Sequence, residues 1–346
     1  MTNKPESWQL GSGTTPLVEA VRTAPPGQLS FKLESLNPTG SYKDRFAVAQ
    51  VREMLARGVR SCVATSSGNT GAALATYCRR AGLECMIVVN EDAPAGKLQQ
   101  MSAMGARVLC VPGFVSDPSI SAAVFGVLRR LSEEQNVPLV VSAFAYCPVG
   151  MQGVERISEE IASAQVDHVF VPIGGAGLYS AIVQGFLRCG TRLPRVHAVQ
   201  PAGCLTLVGA WLEGEQIIPS PVSTTQISGL SVPNDIDSSR ALALLLQCGG
   251  TGIAVTDDEV FLAQEELFLN EGVYCEPAGA TAFAGWKRAL AEGTIRPGER
   301  SICLVTGHGF KDPTSAGRIA RKAPQRTVGA DQLQGVLIEM MGGHDA

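Results

Sequence analysis

The sequence predicts an α/β protein with two open parallel sheets, each flanked by helices. Strand-like apolar runs alternate with helical patterns along most of the chain, and this alternation is typical of βαβ crossovers. The 346 residues exceed the size at which a single hydrophobic core usually stops growing, which favours two lobes. Glycine-rich joints follow several strand-like runs, at the edge where parallel sheets bind ligands.

The predicted elements follow in chain order. The strand-like runs cover residues 29–34, 61–65, 85–90, 107–111, 138–141, 168–172, 195–200 and 301–305. The helical patterns cover residues 43–57, 69–81, 153–163, 177–188, 257–270 and 277–291. Thr256 precedes the fifth helical pattern as an N-cap, and Glu259 stands where it completes a capping box. Residues 112–118 and 219–237 lack periodicity and are predicted to be loops.

The composition excludes several classes of protein. Apolar residues make up 45% of the chain and charged residues 17%, which is typical of folded globular proteins and not of disordered chains. The net charge is -4 and no basic run is longer than a pair, so we expect no nucleic-acid partner. No segment has the roughly 18 uninterrupted apolar residues of a membrane helix, so we expect no membrane association and a cytoplasmic protein.

The cysteines and histidines form no metal or disulfide pattern. Ten cysteines occur at irregular spacing without a C-x-x-C pair, and the four histidines lie too far apart for a helical metal pair. We therefore expect most thiols to be buried as small apolar side chains, and we expect no dedicated metal site.

Three glycine-rich joints are candidates for a ligand site, because the free amide groups of helix N-termini face the edge where parallel strands end. The joints are residues 65–71 (TSSGNTG), 174–178 (GGAGL) and 306–309 (TGHG). In the second joint, successive amide groups would converge on an anion, and phosphate is the expected ligand. A dinucleotide fingerprint is disfavoured, because its third glycine would fall on Ser180. A simple tight turn is the remaining alternative.

Lys43 and the joint at 65–71 are ambiguous when each is taken alone. The joint offers hydroxyls and a carboxamide to a carboxylate, but Ser67 or Asn69 could equally serve only as an N-cap. Lys43 stands in a first helical turn, where a cation is poorly placed, yet most such lysines are only solvated. Together with the phosphate joint they supply an amine for an aldehyde, donors for a carboxylate and a cradle for a phosphate. This combination predicts a site for pyridoxal 5'-phosphate (PLP).

The sequence also resembles a known family. The stretches LNPTGSYKDR, TSSGNTGAALATY, VPIGGAGL, GVYCEPAGA and VTGHGFKDP are similar to those of fold-type II PLP-dependent enzymes, above all to the threonine synthase branch. GSGTTPL and GIAVTDDEV extend the resemblance over most of residues 10–315. The resemblance implies a tryptophan synthase β-like fold. It also implies a lyase of amino-acid biosynthesis whose small amino-acid substrate carries a leaving group on its β- or γ-carbon.

The resemblance further implies a role for each residue of the site. Lys43 would form the internal aldimine and transfer protons, Asn69 would bind the phenolic oxygen of PLP, and Thr306 would meet the pyridine nitrogen. The PLP phosphate would be held by Gly174, Gly175, Ala176, Gly177 and Leu178, and the substrate carboxylate by Ser66, Ser67 and Thr70. A hydroxyl at position 306 cannot keep the pyridine nitrogen protonated as an aspartate would, which favours elimination and replacement over transamination.

The middle of the chain departs from the threonine synthase pattern. Where that pattern has an arginine, a glutamate and a lysine, this chain has Gly150, Gln152 and Glu155. A basic residue that could bind a substrate phosphate is therefore missing. Two activities therefore remain as alternatives. One is conversion of O-phosphohomoserine to threonine, and the other is β-elimination or β-replacement on serine, threonine or an O-activated serine. The motif EPAGA is more similar to that of serine or threonine dehydratases, whereas GNTG is similar to that of threonine synthases. The cations that sequence alone does not place are Lys97, Arg107, Arg156 and Lys311.

We expect residues 1–44 and 151–320 to form a large cofactor-binding lobe, residues 45–150 a small mobile lobe that closes on the substrate, and residues 321–346 a C-terminal tail. A homodimer, the commonest closed assembly, is the expected oligomer. An inactive binding protein is disfavoured by the presence of Lys43, Asn69 and Thr306 together. A purely structural module is disfavoured because glycines gathered at strand ends serve a ligand better than a core.

Overall fold

Two β-sheets form the framework of the protein. The computed structural model describes residues 7–66, 68–91, 95–114, 117–216, 218–323 and 325–342. The strands in these residues are β1 (Leu17–Glu19), β2 (Leu29–Lys32), β3 (Ser61–Ala64), β4 (Glu84–Asn90), β5 (Arg107–Val111), β6 (Leu139–Val140), β7 (His168–Pro172), β8 (Arg195–Pro201), β9 (Gly252–Val255) and β10 (Ser301–Leu304). The helices are α1 (Lys43–Ala56), α2 (Asn69–Ala81), α3 (Ala95–Ala103), α4 (Pro118–Gln135), α5 (Pro148–Ile161), α6 (Gly177–Cys189), α7 (Leu207–Glu213), α8 (Ser238–Cys248), α9 (Asp257–Glu271), α10 (Pro277–Ala291), α11 (Pro313–Ala320) and α12 (Leu333–Gly342).

Both sheets are parallel except at one edge. The larger sheet has the strand order β1-β2-β10-β7-β8-β9, and the smaller one has the order β5-β4-β3-β6. Strand β1 pairs antiparallel with β2, and the other paired strands run parallel. The predicted α/β class with two parallel sheets is therefore confirmed.

Helices cover the large sheet on both faces. Every residue of β7 is buried, as expected for a central parallel strand. Val169 and Val171 point into a core that includes Ile182 of α6, whereas Phe170 points into a second core that includes Phe283 of α10. Because neighbouring residues of a strand face opposite sides, these two cores lie on opposite faces of the sheet.

Four of the predicted elements have the same bounds in the structure. The bounds of β5, β7, α2 and α10 are those that the sequence predicts, and the capping box of Thr256 and Glu259 is present. Helix α5 begins at Pro148, five residues earlier than predicted, because a proline is well suited to the first turn of a helix. Strands β1 and β9 were not predicted; each has at most four residues, too few to show a period.

The two predicted loops have different outcomes. The described part of residues 219–237 contains no helix or strand, which confirms that loop. Of the loop predicted at 112–118, residues 115 and 116 lie outside the described residues, and Pro118 already belongs to α4. That helix begins there because Asp117 accepts hydrogen bonds from the amide groups of Ser119 and Ile120 and so caps it. None of the helices in the described ranges is long and apolar enough to span a membrane.

Most cysteines are buried, as the sequence predicts. Eight of the ten thiols lie in the interior, while Cys110 is exposed and Cys189 is half-buried. The sulfur atoms of Cys62, Cys78 and Cys85 lie within 4.8 Å of one another. Cys62 and Cys85 are direct partners on β3 and β4, and Cys78 on α2 packs against them in the same core.

Candidate active site

The candidate site lies where strands of both sheets end. Lys43 begins α1, which follows β2, and Thr306 follows β10. The amide group of Tyr42 donates a hydrogen bond of 3.1 Å to the carbonyl oxygen of Thr306, and Ser41 forms a β-bridge with Gly307. The lysine segment and the joint at 306–309 are therefore held side by side by backbone hydrogen bonds.

Lys43 is half-buried and points towards the small sheet. Its Nζ donates a hydrogen bond of 2.6 Å to Oγ of Ser142, which lies just beyond β6. The same Nζ lies 4.5 Å from the ring centroid of Tyr42. Oγ of Ser142 is also 3.0 Å from Oγ1 of Thr70, in the first turn of α2. An amine and two hydroxyls thus form a continuous polar chain between the two sheets.

Asn69 is held by a residue that the sequence reasoning did not assign. Its Nδ2 donates to Oε1 of Glu276 at 2.5 Å, while its Oδ1 is buried without a hydrogen-bond partner among the described residues. Glu276 also lies 3.6 Å from Nζ of Lys97, and this Nζ contacts Oγ of Ser228 at 3.0 Å. Glu276 thereby fixes the side-chain amide of Asn69 and leaves one buried polar atom free for a ligand.

The joint at 174–178 forms an open cradle at the N-terminus of α6. Within the described chain, none of the amide groups of residues 174–178 donates a hydrogen bond to another protein group. Ala176 adopts a positive φ of 63°, which turns the chain sharply into the helix. A Cβ at Gly174 would lie 2.8 Å from the carbonyl oxygen of Gly229, so only glycine fits there. Free amide groups at a helix N-terminus are suited to a phosphate.

The remaining predicted residues surround this centre. Thr306 is only 4% exposed, and Thr70 is equally buried. Oγ of Ser66 is half-buried and accepts a hydrogen bond of 3.3 Å from the amide group of Gly68. Ser67 lies outside the described residues.

Asp237 is an acidic residue of the site that the sequence analysis treated only as the end of a loop. Its Oδ2 accepts from the amide group of Phe144 at 2.7 Å, and its Oδ1 accepts from that of Ala145 at 3.1 Å. Burial raises the pKa of Asp237, while these two amide groups and the cations Arg240 and Lys43 oppose the increase. The carboxylate therefore lies within the electrostatic reach of Lys43.

The positions that depart from the threonine synthase pattern offer no cation to the site. A Cβ at Gly150 would lie 2.5 Å from the ring of Phe46, so a longer side chain cannot enter there without displacing α1. Glu155 is 2% exposed, lies 2.7 Å from Nη1 of Arg188, and has its pKa raised by burial. Gln152 is exposed.

Two of the four unplaced cations lie near the site. Lys97 contacts Glu276, and Nζ of Lys311 donates to Oε1 of Gln100 at 3.0 Å. Burial lowers the pKa of Lys311, and Glu276 and Asp44 oppose this effect. Arg107 and Arg156 instead form exposed pairs with acidic residues of their own surroundings.

These residues fit a PLP molecule. The free amide groups of residues 174–178 suit its phosphate, and Lys43 supplies an amine for its aldehyde. Nδ2 of Asn69 carries two N–H groups, so beside the one that it donates to Glu276 it has a second for the phenolic oxygen. The sequence reasoning missed Ser142, Asp237 and Glu276. The available signal was their position, since Ser142 is the first hydroxyl after β6, and Glu276 lies within the quoted stretch GVYCEPAGA.

Comparison with known proteins agrees with this chemistry. Residues 9–307 match the family described as pyridoxal-phosphate dependent enzyme. The threonine synthase of Methanocaldococcus jannaschii is 34% identical over 324 residues, covering 90% of this chain and 78% of that protein. The threonine synthase of Halalkalibacterium halodurans is 32% identical, covering 89% of this chain and 85% of that protein. The structure of maize serine racemase superposes with a TM-score of 0.72 at 21% identity, covering 96% and 94% of the two chains.

The fold and site thus define a fold-type II PLP-dependent enzyme, as the sequence predicts. The chain belongs to the pyridoxal-phosphate dependent enzyme family. It is a PLP-dependent lyase similar to threonine synthases, with elimination and replacement as its class of chemistry.

Proposed function

We propose that the enzyme acts on an amino acid with an oxygen leaving group on its β- or γ-carbon, and that Lys43 is its general base. The observation that carries this proposal is the polar chain from Nζ of Lys43 through Ser142 to Thr70. An amine connected by a hydroxyl to Thr70, one of the predicted carboxylate residues, supports a base next to the substrate. Such a base contributes typically about 10²–10⁴-fold to a proton-transfer step.

Each residue of the site has a separate role in the proposed reaction. Bound PLP supplies an electron sink for the substrate's α-carbon. Lys43 removes the α proton, and Ser66, Ser67 and Thr70 bind the substrate carboxylate at the start of α2. Asn69, oriented by Glu276, binds the phenolic oxygen, and residues 174–178 hold the phosphate. Thr306 meets the pyridine nitrogen with a neutral hydroxyl, which favours elimination and replacement over transamination.

Two candidate substrates follow from different observations. The threonine synthase relatives support O-phosphohomoserine, with threonine as the product. The lack of space at Gly150 supports the second candidate, a three- or four-carbon amino acid whose leaving group carries no phosphate, such as serine, threonine or an O-acylated serine.

A substrate panel tests the proposal. The PLP-loaded enzyme is mixed with O-phosphohomoserine, O-phosphoserine, O-acetylserine, serine and threonine, while the visible spectrum and the products are followed. Spectral change and product with at least one of these compounds are expected. Lys43→Ala should abolish turnover but not folding, as judged by circular dichroism. If no compound in the panel changed the spectrum, the proposed substrate class would be wrong.

We also propose that residues 45–150 form a small lobe that closes on a large lobe made of residues 1–44 and 151–320, with residues 321–346 as a tail. The side-chain contacts from Asn69 and Lys97 to Glu276 support this proposal, because they bridge the two sheets at the site. Small-angle scattering should show a more compact enzyme once substrate is added. An unchanged radius of gyration would contradict closure.

We propose in addition a cytoplasmic homodimer. Ten free thiols suit a reducing compartment, and the large apolar side chain of Phe310 is 80% exposed. Sedimentation of the holoenzyme should give the mass of two chains. A single species with the mass of one chain would exclude the dimer.

A further inference from the structure

The loop between β6 and α5 contains a small anion-binding nest. Consecutive backbone amide groups that point the same way form a concave site for an anion. The amide groups of Phe144 and Ala145 are such a pair, and both are taken by the carboxylate of Asp237, at 2.7 and 3.1 Å. The nest is therefore filled by a side chain of the protein itself.

The side chain of Asp237 binds this nest and does not cap its own helix. It is the N-cap residue of α8, where an aspartate normally accepts a hydrogen bond from its own helix, yet it makes no such bond. Its backbone amide group donates to the carbonyl oxygen of Gly175, which ties it to the phosphate joint at 3.2 Å. Only 4% of Asp237 is exposed, so its carboxylate is shielded from solvent.

The nest lies between the catalytic amine and the phosphate cradle. Two residues before Phe144, Ser142 accepts the hydrogen bond from Nζ of Lys43 at 2.6 Å. On the other side, Oδ2 of Asp237 would lie 3.0 Å from a Cβ added to Gly177, the first residue of α6. An anion on the substrate side chain that entered this region would meet a carboxylate where two amide groups would otherwise receive it.

Arg240 and Lys43 act on the carboxylate of Asp237 through their charge, but among the described residues neither forms an ion pair with it. Position 150 has no room for a basic side chain, and Lys97 is already paired with Glu276. Arg240 is exposed, and its guanidinium carbon lies 4.5 Å from the ring centroid of Phe144, outside the nest.

We propose that Asp237 is a specificity-determining residue that fills the anion nest of this loop and thereby selects substrates whose leaving group carries no phosphate. This inference rests on the proposed function and narrows its substrate class to a side chain with a free hydroxyl or a neutral ester. Asp237 excludes a substrate with a dianionic side chain in two ways. Its carboxylate occupies the two amide donors of the nest, and its negative charge repels the negative charge of the substrate.

Two variants and two probes test the proposal. Asp237→Ala empties the nest, and Asp237→Asn removes the charge while keeping a side chain of the same shape. Binding of inorganic phosphate and of O-phosphohomoserine to the PLP-loaded protein is measured by calorimetry. Freeing two amide donors should tighten binding of both probes by about tenfold to a hundredfold in Asp237→Ala, with a smaller gain in Asp237→Asn. Because serine has no phosphate, its affinity should change by less than that of either probe.

Asp235→Asn is the matched control. Asp235 lies in the same segment, but it is exposed and accepts a hydrogen bond from the amide group of Ser239 at 3.1 Å, outside the nest. Its replacement removes the same charge and should leave phosphate binding unchanged. An equal gain in this control would mean that net charge, and not the nest, controls affinity, and would overturn the proposal.

Two further results would also overturn it. One is a wild-type enzyme that binds O-phosphohomoserine as tightly as the better of the two Asp237 variants. The other is tighter retention of PLP in the variants without a gain for either probe, which would assign the nest to the cofactor's phosphate. Because inorganic phosphate binding needs no turnover, this test can succeed even if no compound in the substrate panel reacts.

Discussion

Replacing Glu276 by alanine should destabilise the protein, because it leaves a buried cation unpaired. Glu276 is 2% exposed and Lys97 is 4% exposed, with 3.6 Å between Nζ and Oε2. At that separation and an effective dielectric constant of about 20, the attraction is about 5 kcal/mol. Breaking a buried pair typically costs about 3–5 kcal/mol. We therefore expect Glu276→Ala to lower the free energy of unfolding by about 3 kcal/mol or more.

A double-mutant cycle measures this interaction. Glu276→Ala, Lys97→Met and the double variant are unfolded in urea and followed by tryptophan fluorescence. Once Lys97 is gone, removing Glu276 should cost much less, because no unpaired ammonium group remains. The exposed pair of Arg107 and Glu84, 3.2 Å apart, is the control, and its cycle should give less than about 1 kcal/mol. Equal losses for Glu276→Ala in both backgrounds would refute the reasoning.

Three further perturbations have defined outcomes. Burial and the neighbouring His168 and Arg195 lower the pKa of His197 to about 3, so the fold keeps it neutral. The contribution of neutral His197 to the free energy of unfolding should be complete above the unfolded pKa of about 6.5. It should fall as the pH drops towards 3, by up to about 1.4 kcal/mol per pH unit. In urea unfolding, His197→Gln should remove this part of the pH dependence. Gly150→Arg should cost about 1–3 kcal/mol through overpacking in the same assay, and a gain in phosphate affinity would contradict this account of the position. Thr306→Asp should keep the pyridine nitrogen protonated and change the product ratio of the substrate panel, whereas an unchanged ratio would count against the role of Thr306.

The sequence predicts those parts of the fold that local physics determines. A buried parallel strand such as β7 is a continuous apolar run, and the glycines after it mark the turn into α6, so both were predictable. Helix α3, with residues AGKLQQMSA, was not predicted. Strand β9, with four residues GIAV, is defined by its pairing with β8 and not by its own pattern.

The sequence predicts those parts of the candidate site whose motif lies within one continuous segment. The lysine segment and the joint at 174–178 are local motifs, and the structure brings them together at one edge. Ser142, Asp237 and Glu276 could not be found in this way, because each acts through a partner far away in the chain. Ser142 meets Lys43 across 99 residues, Asp237 meets Phe144 across 93, and Glu276 meets Asn69 across 207. Such contacts depend on how the two sheets face each other, which single-segment patterns do not encode.

The central claim is that Lys43 carries the cofactor. Purified protein is reduced with borohydride, digested, and the phosphopyridoxyl group is located by mass spectrometry. We expect a yellow protein that loses its visible band on reduction and carries the group on Lys43. Lys43→Ala should fold but have no reducible chromophore, whereas Lys311→Ala should retain it. A label on Lys97 or Lys311, or an unchanged chromophore in Lys43→Ala, would contradict the account.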